Sequence, residues 1–222
     1  MGVDRGELVR KRRRLEGVLL VGLAVGLLLR LAPPPAFGAA SEPEADARSS
    51  AQGTIDQVLG ILRNPSLPLE EKRSQVEQIA YQKFDFELMA RLVLAQNWSR
   101  FSPEQQAGFV DAFKQHLSAS YRDTLDNFRD EKITVEGTRL EPRGDVTVMT
   151  VVHGGSGDTK VDYRMRKLPE GWRGIDVIVE GVSLVQNFRS QTQEILSSQS
   201  PDTLIQRLRD KQIQDVAPKG KG

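Results

Sequence analysis

Residues 132–179 read KITVEGTRLEPRGDVTVMTVVHGGSGDTKVDYRMRKLPEGWRGIDVIV, and the fold turns on how that stretch is parsed. Apolar side chains recur at every second position in four groups: Ile133 and Val135; Val146, Val148 and Val152; Val161, Tyr163 and Met165; Ile175, Val177 and Val179. A period of two is the period of a strand. The groups are separated by Glu141-Pro142-Arg143-Gly144, by His153-Gly154-Gly155-Ser156-Gly157-Asp158 and by Leu168-Pro169-Glu170-Gly171. Such short Gly/Pro-rich connections join antiparallel neighbours only, since a parallel pair needs a crossover of about a dozen residues or more. The stretch therefore predicts a four-stranded antiparallel meander. Polar residues at alternate positions of strands one, three and four leave one face for helices to cover and the other partly wet.

Outward from the sheet the period changes to that of a helix. Upstream, Ser102-Pro103-Glu104-Gln105 is a helix start: Ser caps, Pro suits the first helical position, and Gln can return a hydrogen bond to the cap. Behind it Phe109, Phe113, Leu117, Tyr121 and Leu125 recur every four residues, which drifts around the helix and makes a wide apolar face. Earlier still, Ile55, Val58, Leu59 and Leu62 predict a short helix ended by Asn64-Pro65. A second is expected after Pro68 and a third over residues 84–94. Downstream, Ser183 opens a helix through Val185, Phe188, Ile195 and Leu196, and Ser200-Pro201-Asp202 opens another through Leu204, Ile205 and Leu208. The expected architecture is α+β, with helices before and after a four-stranded sheet and packed on one face of it.

The ends read differently. Basic residues 10–14 precede GVLLVGLAVGLLL at 17–29, three prolines at 33–35 and small residues to Ala40, the pattern of a secretory signal cleaved after Gly38 or Ala40. The apolar run of 13 residues is short of the roughly 20 that a spanning helix needs. Residues 1–38 are thus expected as a cleaved signal peptide, 39–53 as a flexible linker, 54–211 as the folded domain and 212–222 as a disordered tail. Removing 1–38 takes seven basic and three acidic side chains, which leaves 24 basic against 27 acidic, a net −3. An exported chain without an anchor is expected in the periplasm.

Composition excludes several classes of function. The 222 residues hold no cysteine and two histidines, so disulfide scaffolds, thiolate nucleophiles and zinc–thiolate sites are ruled out. Charge is balanced, with no basic stripe to replace counterions on nucleic acid. No phosphate loop, nucleophile elbow or dinucleotide fingerprint is present. His153-Gly154-Gly155-Ser156-Gly157 has the letters of an oxyanion loop but the position of a hairpin turn, and His116 lies beside the Phe109/Phe113 stripe as a boundary residue. Asp162 and Asp176 are the candidates for a general base beside Tyr163, as in a small isomerase or hydrolase of apolar substrates. Both alternate away from the apolar face, so neither points into a pocket lined by it, and the chain is read as a non-enzyme.

Four stretches carry a resemblance over about residues 54–211. They are Phe86–Arg91 with Trp98, Ser102–Gln106 leading to Phe109, Phe113 and Tyr121, Val161–Arg164, and Gly171-Trp172 running into DVIVEGVSLVQNFRSQ at 176–191. The sequence resembles the MlaC (toluene-tolerance) family of periplasmic phospholipid-binding proteins. Departures are Phe188 where the family usually has Tyr, and Thr192 where it often has Phe.

The resemblance implies a soluble shuttle that carries phospholipid between an outer-membrane lipoprotein complex and an inner-membrane ABC transporter, in the service of outer-membrane lipid asymmetry. It implies acyl chains between sheet and helices. A hopanoid or other apolar lipid is the alternative cargo. Facing assigns the lining to Phe109, Phe113 and Leu117 on the long helix and to Val148, Tyr163, Met165 and Val177 on the sheet. Val182, Val185 and Phe188 line the corner between them. Only the Gly181–Gln191 block rests on motif match. Arg189 is the candidate for a lipid phosphate, with a structural ion pair as the alternative. No cofactor or metal is called for, and the chain is expected to be a monomer.

Overall fold

The computed structural model describes residues 41–155 and 157–214. The expected signal peptide and the end of the tail lie outside them. In chain order the elements are α1 (Glu42–Arg63), α2 (Leu69–Lys83), α3 (Phe86–Leu94), a 3-10 turn (Ala95–Arg100) and α4 (Pro103–Asp126). The strands follow as β1 (Lys132–Leu140), β2 (Val146–Gly154), β3 (Gly157–Leu168), β4 (Gly171–Val179) and β5 (Val182–Ser183), and α5 (Leu184–Leu196) and α6 (Pro201–Arg209) close the order. The sheet is antiparallel throughout in the order β1-β2-β3-β4-β5.

The meander stands, with one strand more than expected. Glu180 and Gly181 both take positive φ, 49° and 80°, and that tight turn folds Val182-Ser183 back beside Ile178 and Val179. Two residues are too short for a period of two to show. Register puts Val148 beside Tyr163 and Tyr163 beside Val177, so the valines and tyrosine of three strands share one face.

The first helix is a correction. Residues 42–53, expected to be loose, form the first half of a 22-residue helix. The Ser41 backbone N–H donates to Glu44 at 3.1 Å and its hydroxyl to the same oxygen at 2.6 Å, which fixes the start. Ala47, Ala51, Ile55 and Leu59 then form one buried stripe. Its first half is alanine, which carries little hydropathy but lets the helix axis approach the strands closely. Ala47 and Ala51 lie against Val146, Val148, Met165 and Trp172. Asp46 fastens the contact by accepting from Trp172 Nε1 at 3.0 Å and from Lys167.

The start of α4 follows the expected chemistry: Gln105 N–H donates to Ser102 Oγ at 3.2 Å while Ser102 N–H donates to Gln105 Oε1 at 3.1 Å. Ser183 and Ser200 cap α5 and α6 in the same way, accepting from Gln186 and Thr203 N–H. The helix α4 packs on α6, α3 and α2. Past α6 the chain stays attached as far as it is described. Ile213 is buried among the helices and Gln214 N–H donates to Gln191 Oε1 at 3.0 Å, so residues 212–214 are not part of a loose tail.

Candidate functional site

The apolar interior consists of two clusters that do not merge. The helical cluster centres on Phe109, Phe113 and Phe188, all fully buried. Phe109 stacks on Phe113 with centroids 6.1 Å apart and planes at 7°, and Phe188 meets Phe113 edge-on at 5.1 Å. Leu117 and Val185 belong to the same cluster. The sheet cluster holds Val148 and Met165 with α1 on top.

Between the two clusters lies a seam. Phe84 borders the helical cluster and Tyr163 the sheet cluster, and their rings sit 6.4 Å apart, tilted at 57°. Phe84 reaches that place because β4 has Gly174 beneath it, where a Cβ would stand 2.5 Å from the ring. Tyr163 and Val177, paired across β3 and β4 on this seam, are only partly buried. Burial pushes the Tyr163 hydroxyl up to about 12. Partly buried apolar side chains where two closed clusters meet make the seam the candidate site, with Tyr163 and Val177 on its sheet wall.

Two residues expected at the site are elsewhere. Val182 stands 48% exposed on the edge strand, outside the seam, because the β4–β5 turn carries it away from the helices. Arg189 donates from Nε at 2.8 Å and from Nη2 at 2.5 Å to the carbonyl of Leu92 near the end of α3. Its charge closes a helix C-terminus, where carbonyls are left without partners. Neither an ion pair nor a head-group contact describes that role.

The groups considered for acid–base chemistry are tied into the scaffold. Asp176 is buried and accepts from Ser183 Oγ at 2.5 Å and Val185 N–H at 3.0 Å, which anchors the first turn of α5 to β4. Burial still pushes its carboxyl above the usual aspartate range against those bonds. Asp162 accepts from Thr150 N–H at 3.3 Å. His116, buried rather than at a boundary, shares a hydrogen bond with the Leu208 carbonyl at 3.0 Å, and His153 bridges Thr134 and Asp158 at the hairpin. Among the described residues no group of acidic or histidine side chains is arranged to hold a metal ion, and no helix is long and apolar enough to cross a membrane.

The sequence reading missed Ala47, Ala51 and Asp46, which cover the sheet cluster, and the bridging role of Phe84, which it counted among the apolar residues packed on the sheet. The first two were visible as the backward continuation of the Ile55/Leu59 stripe at four-residue spacing. Phe84 was read as helical, but it sits just ahead of α3 in an extended conformation and bridges to Gly174.

A family model described as MlaC protein matches residues 52–210. The chain belongs to the MlaC family. Relatives of this MlaC chain extend the match in sequence and in space. It is 25% identical over 187 residues to the toluene tolerance protein ttg2D of Pseudomonas putida, covering 80% of this chain and 84% of that protein. The phospholipid-binding protein of Ralstonia solanacearum, solved in complex with a phospholipid, superposes with a TM-score of 0.68 at 28% identity, covering 75% of this chain and 96% of that one. The MlaC match begins ten residues inside α1, so Asp46, Ala47 and Ala51 precede it.

Proposed function

We propose that this protein is a periplasmic phospholipid carrier that shuttles lipid between an outer-membrane lipoprotein complex and an inner-membrane ABC transporter. The observation that carries the reading is the phospholipid held by the Ralstonia protein, a fold matched over 96% of its length. The two-cluster interior supports it: a partly buried apolar seam between sheet and helices is the kind of surface acyl chains need. At roughly 0.8 kcal/mol per CH₂, two chains of about fifteen carbons would cost on the order of 20 kcal/mol to expose to water. Crossing an aqueous gap unaided is then prohibitively slow, and a carrier needs a shielding surface rather than a catalytic group. In this reading Tyr163 and Val177 touch the chains, with Phe109, Phe113, Leu117, Val185 and Phe188 as the wall behind and Val148 and Met165 as the floor under α1. Periplasmic residence rests on the signal-like residues 1–38.

Native mass spectrometry of the protein purified from periplasm without detergent tests this. The expected result is an added mass of one two-chain lipid, identified as phospholipid on organic extraction. A bare protein that also takes up no lipid from vesicles rejects the carrier. A rigid polycyclic lipid in place of phospholipid changes the cargo and keeps the carrier.

A further inference from the structure

Three polar contacts hold α5, and they differ in how deeply they are buried. Asp176 fixes the first turn to β4 through a buried bond from Val185 N–H, and Arg189 ties the middle of the helix to Leu92 through partly buried ones. The third contact is Gln191. Its side-chain amide donates to the Gln214 carbonyl at 2.8 Å and accepts from the Gln214 N–H at 3.0 Å, both bonds exposed, and it also donates to Asn187 Oδ1 at 2.7 Å, one turn earlier. A side-chain amide that pairs with both backbone groups of one residue does what a neighbouring strand would do.

The way α6 ends brings Gln214 there. Lys211 takes φ 55°, its N–H donates to the Leu208 carbonyl at 3.1 Å, and Gln212 N–H donates to the Arg207 carbonyl at 2.9 Å, the pairing that closes a helix and reverses the chain. The reversal buries Ile213, 4% exposed, in the cluster that holds Phe188 and Leu196 of α5 and Leu208 of α6. Residues 212–214 are thus a strap on the helices, attached by one apolar side chain and two exposed hydrogen bonds to Gln191. Local opening starts where the bonds are exposed, so this clamp opens at lower free energy than those of Asp176 and Arg189.

The helix so clamped is the wall behind the seam: Val185 and Phe188 are buried in the helical cluster, and Val177 of the sheet packs against that cluster. A lipid passing between sheet and helices displaces this wall, which yields first at its weakest clamp. Building on the phospholipid-carrier reading, we propose that residues 212–214 are a releasable strap on α5, latched by Gln191, whose opening sets the rate of lipid entry and exit without changing the amount bound at equilibrium. Gln191 is a positioning residue in this scheme and touches no lipid.

The protein has no cysteine, so Gln191→Cys combined with Gln214→Cys supplies its only two thiols. Unlinked, this full-length mature variant lacks the latch; joined by a short reagent that bridges two thiols, it has a latch that stays shut. Both forms and the wild type are loaded from vesicles with phosphatidylglycerol carrying a fluorescent acyl chain, then chased into unlabelled vesicles. The unlinked form is expected to release lipid roughly tenfold faster than the wild type at equal load, about the worth of two exposed hydrogen bonds. Linking is expected to bring release below the wild-type rate, which also shows that the unlinked form is folded. A release rate indifferent to linking overturns the strap and leaves the carrier intact. A changed load at an unchanged rate makes Gln191 a stability contact alone and overturns the strap as well. A wild type that takes up no phosphatidylglycerol overturns the carrier reading and this proposal with it.

Discussion

At Arg189 a charged side chain that looked available for a ligand is spent on a backbone carbonyl. Two of its donors converge on Leu92, so replacing it with methionine strips a charge-assisted contact from the end of α3. Arg189→Met is expected to lower unfolding free energy by about 2 kcal/mol in urea titration, with lipid bound per folded molecule unchanged. A loss of lipid without a loss of stability would restore the head-group role. Gly174 makes the opposite kind of point. A methyl there meets the Phe84 ring at 2.5–2.6 Å, and the ring has to leave its place over Tyr163. Gly174→Ala is expected to cost about 1–3 kcal/mol by overpacking and to reduce lipid uptake as well, because Phe84 bridges the two clusters.

Among the elements, α1 depends most on polar fastening, since alanines supply half of its buried stripe. Lys167 and, after it, Trp172 hold the Asp46 carboxyl below the usual aspartate range. A depressed carboxylate contributes stability above its unfolded pKa and loses it as pH falls through the folded value. In a Trp98→Phe background, where Trp172 is the remaining tryptophan, emission is expected to change reversibly as pH drops below about 3.9. Asp46→Asn is expected to abolish that change, and a transition that survives the substitution would assign it to another carboxylate. Deleting residues 42–53 separates the two descriptions of this segment. A linker can be removed at little cost, whereas the first half of a docked helix is expected to take about 3 kcal/mol or more with it, as Val148, Met165 and Trp172 lose their cover.

For the molecule as a whole, what matters is that the two clusters stay apart. Val177 lies on the seam and keeps accessible surface, while Val148 has none and is pressed under α1. Val177→Trp is expected to fill the seam and reduce bound phospholipid about tenfold in a protein that still unfolds cooperatively. Val148→Trp has no seam to grow into and is expected to act on stability, by about 1–3 kcal/mol. If both variants lose lipid and keep stability, the seam extends beneath α1. From sequence facing alone the two valines were equivalent, because a period of two tells which face a side chain is on and not what covers that face.

The sequence by itself determined the meander, its turns, the capped starts of α4, α5 and α6, and the family. Each of these is local: alternation, a Ser three residues before a Gln or Thr, a Gly where φ is positive, a block of sixteen residues from Asp176 to Gln191. It also put Phe109, Phe113 and Phe188 on interior faces. Tertiary structure alone decided that these three pack on one another rather than on the strands, that an alanine stripe is a docked helix and that Arg189 belongs to Leu92. It also decided that the sheet cluster and the helical cluster meet only along a seam. The reason is physical. Periodicity records which side of an element avoids water, while a seam between clusters is a relation between elements far apart in the chain, set by the length of side chains such as Phe84 and the smallness of others such as Gly174 and Ala47.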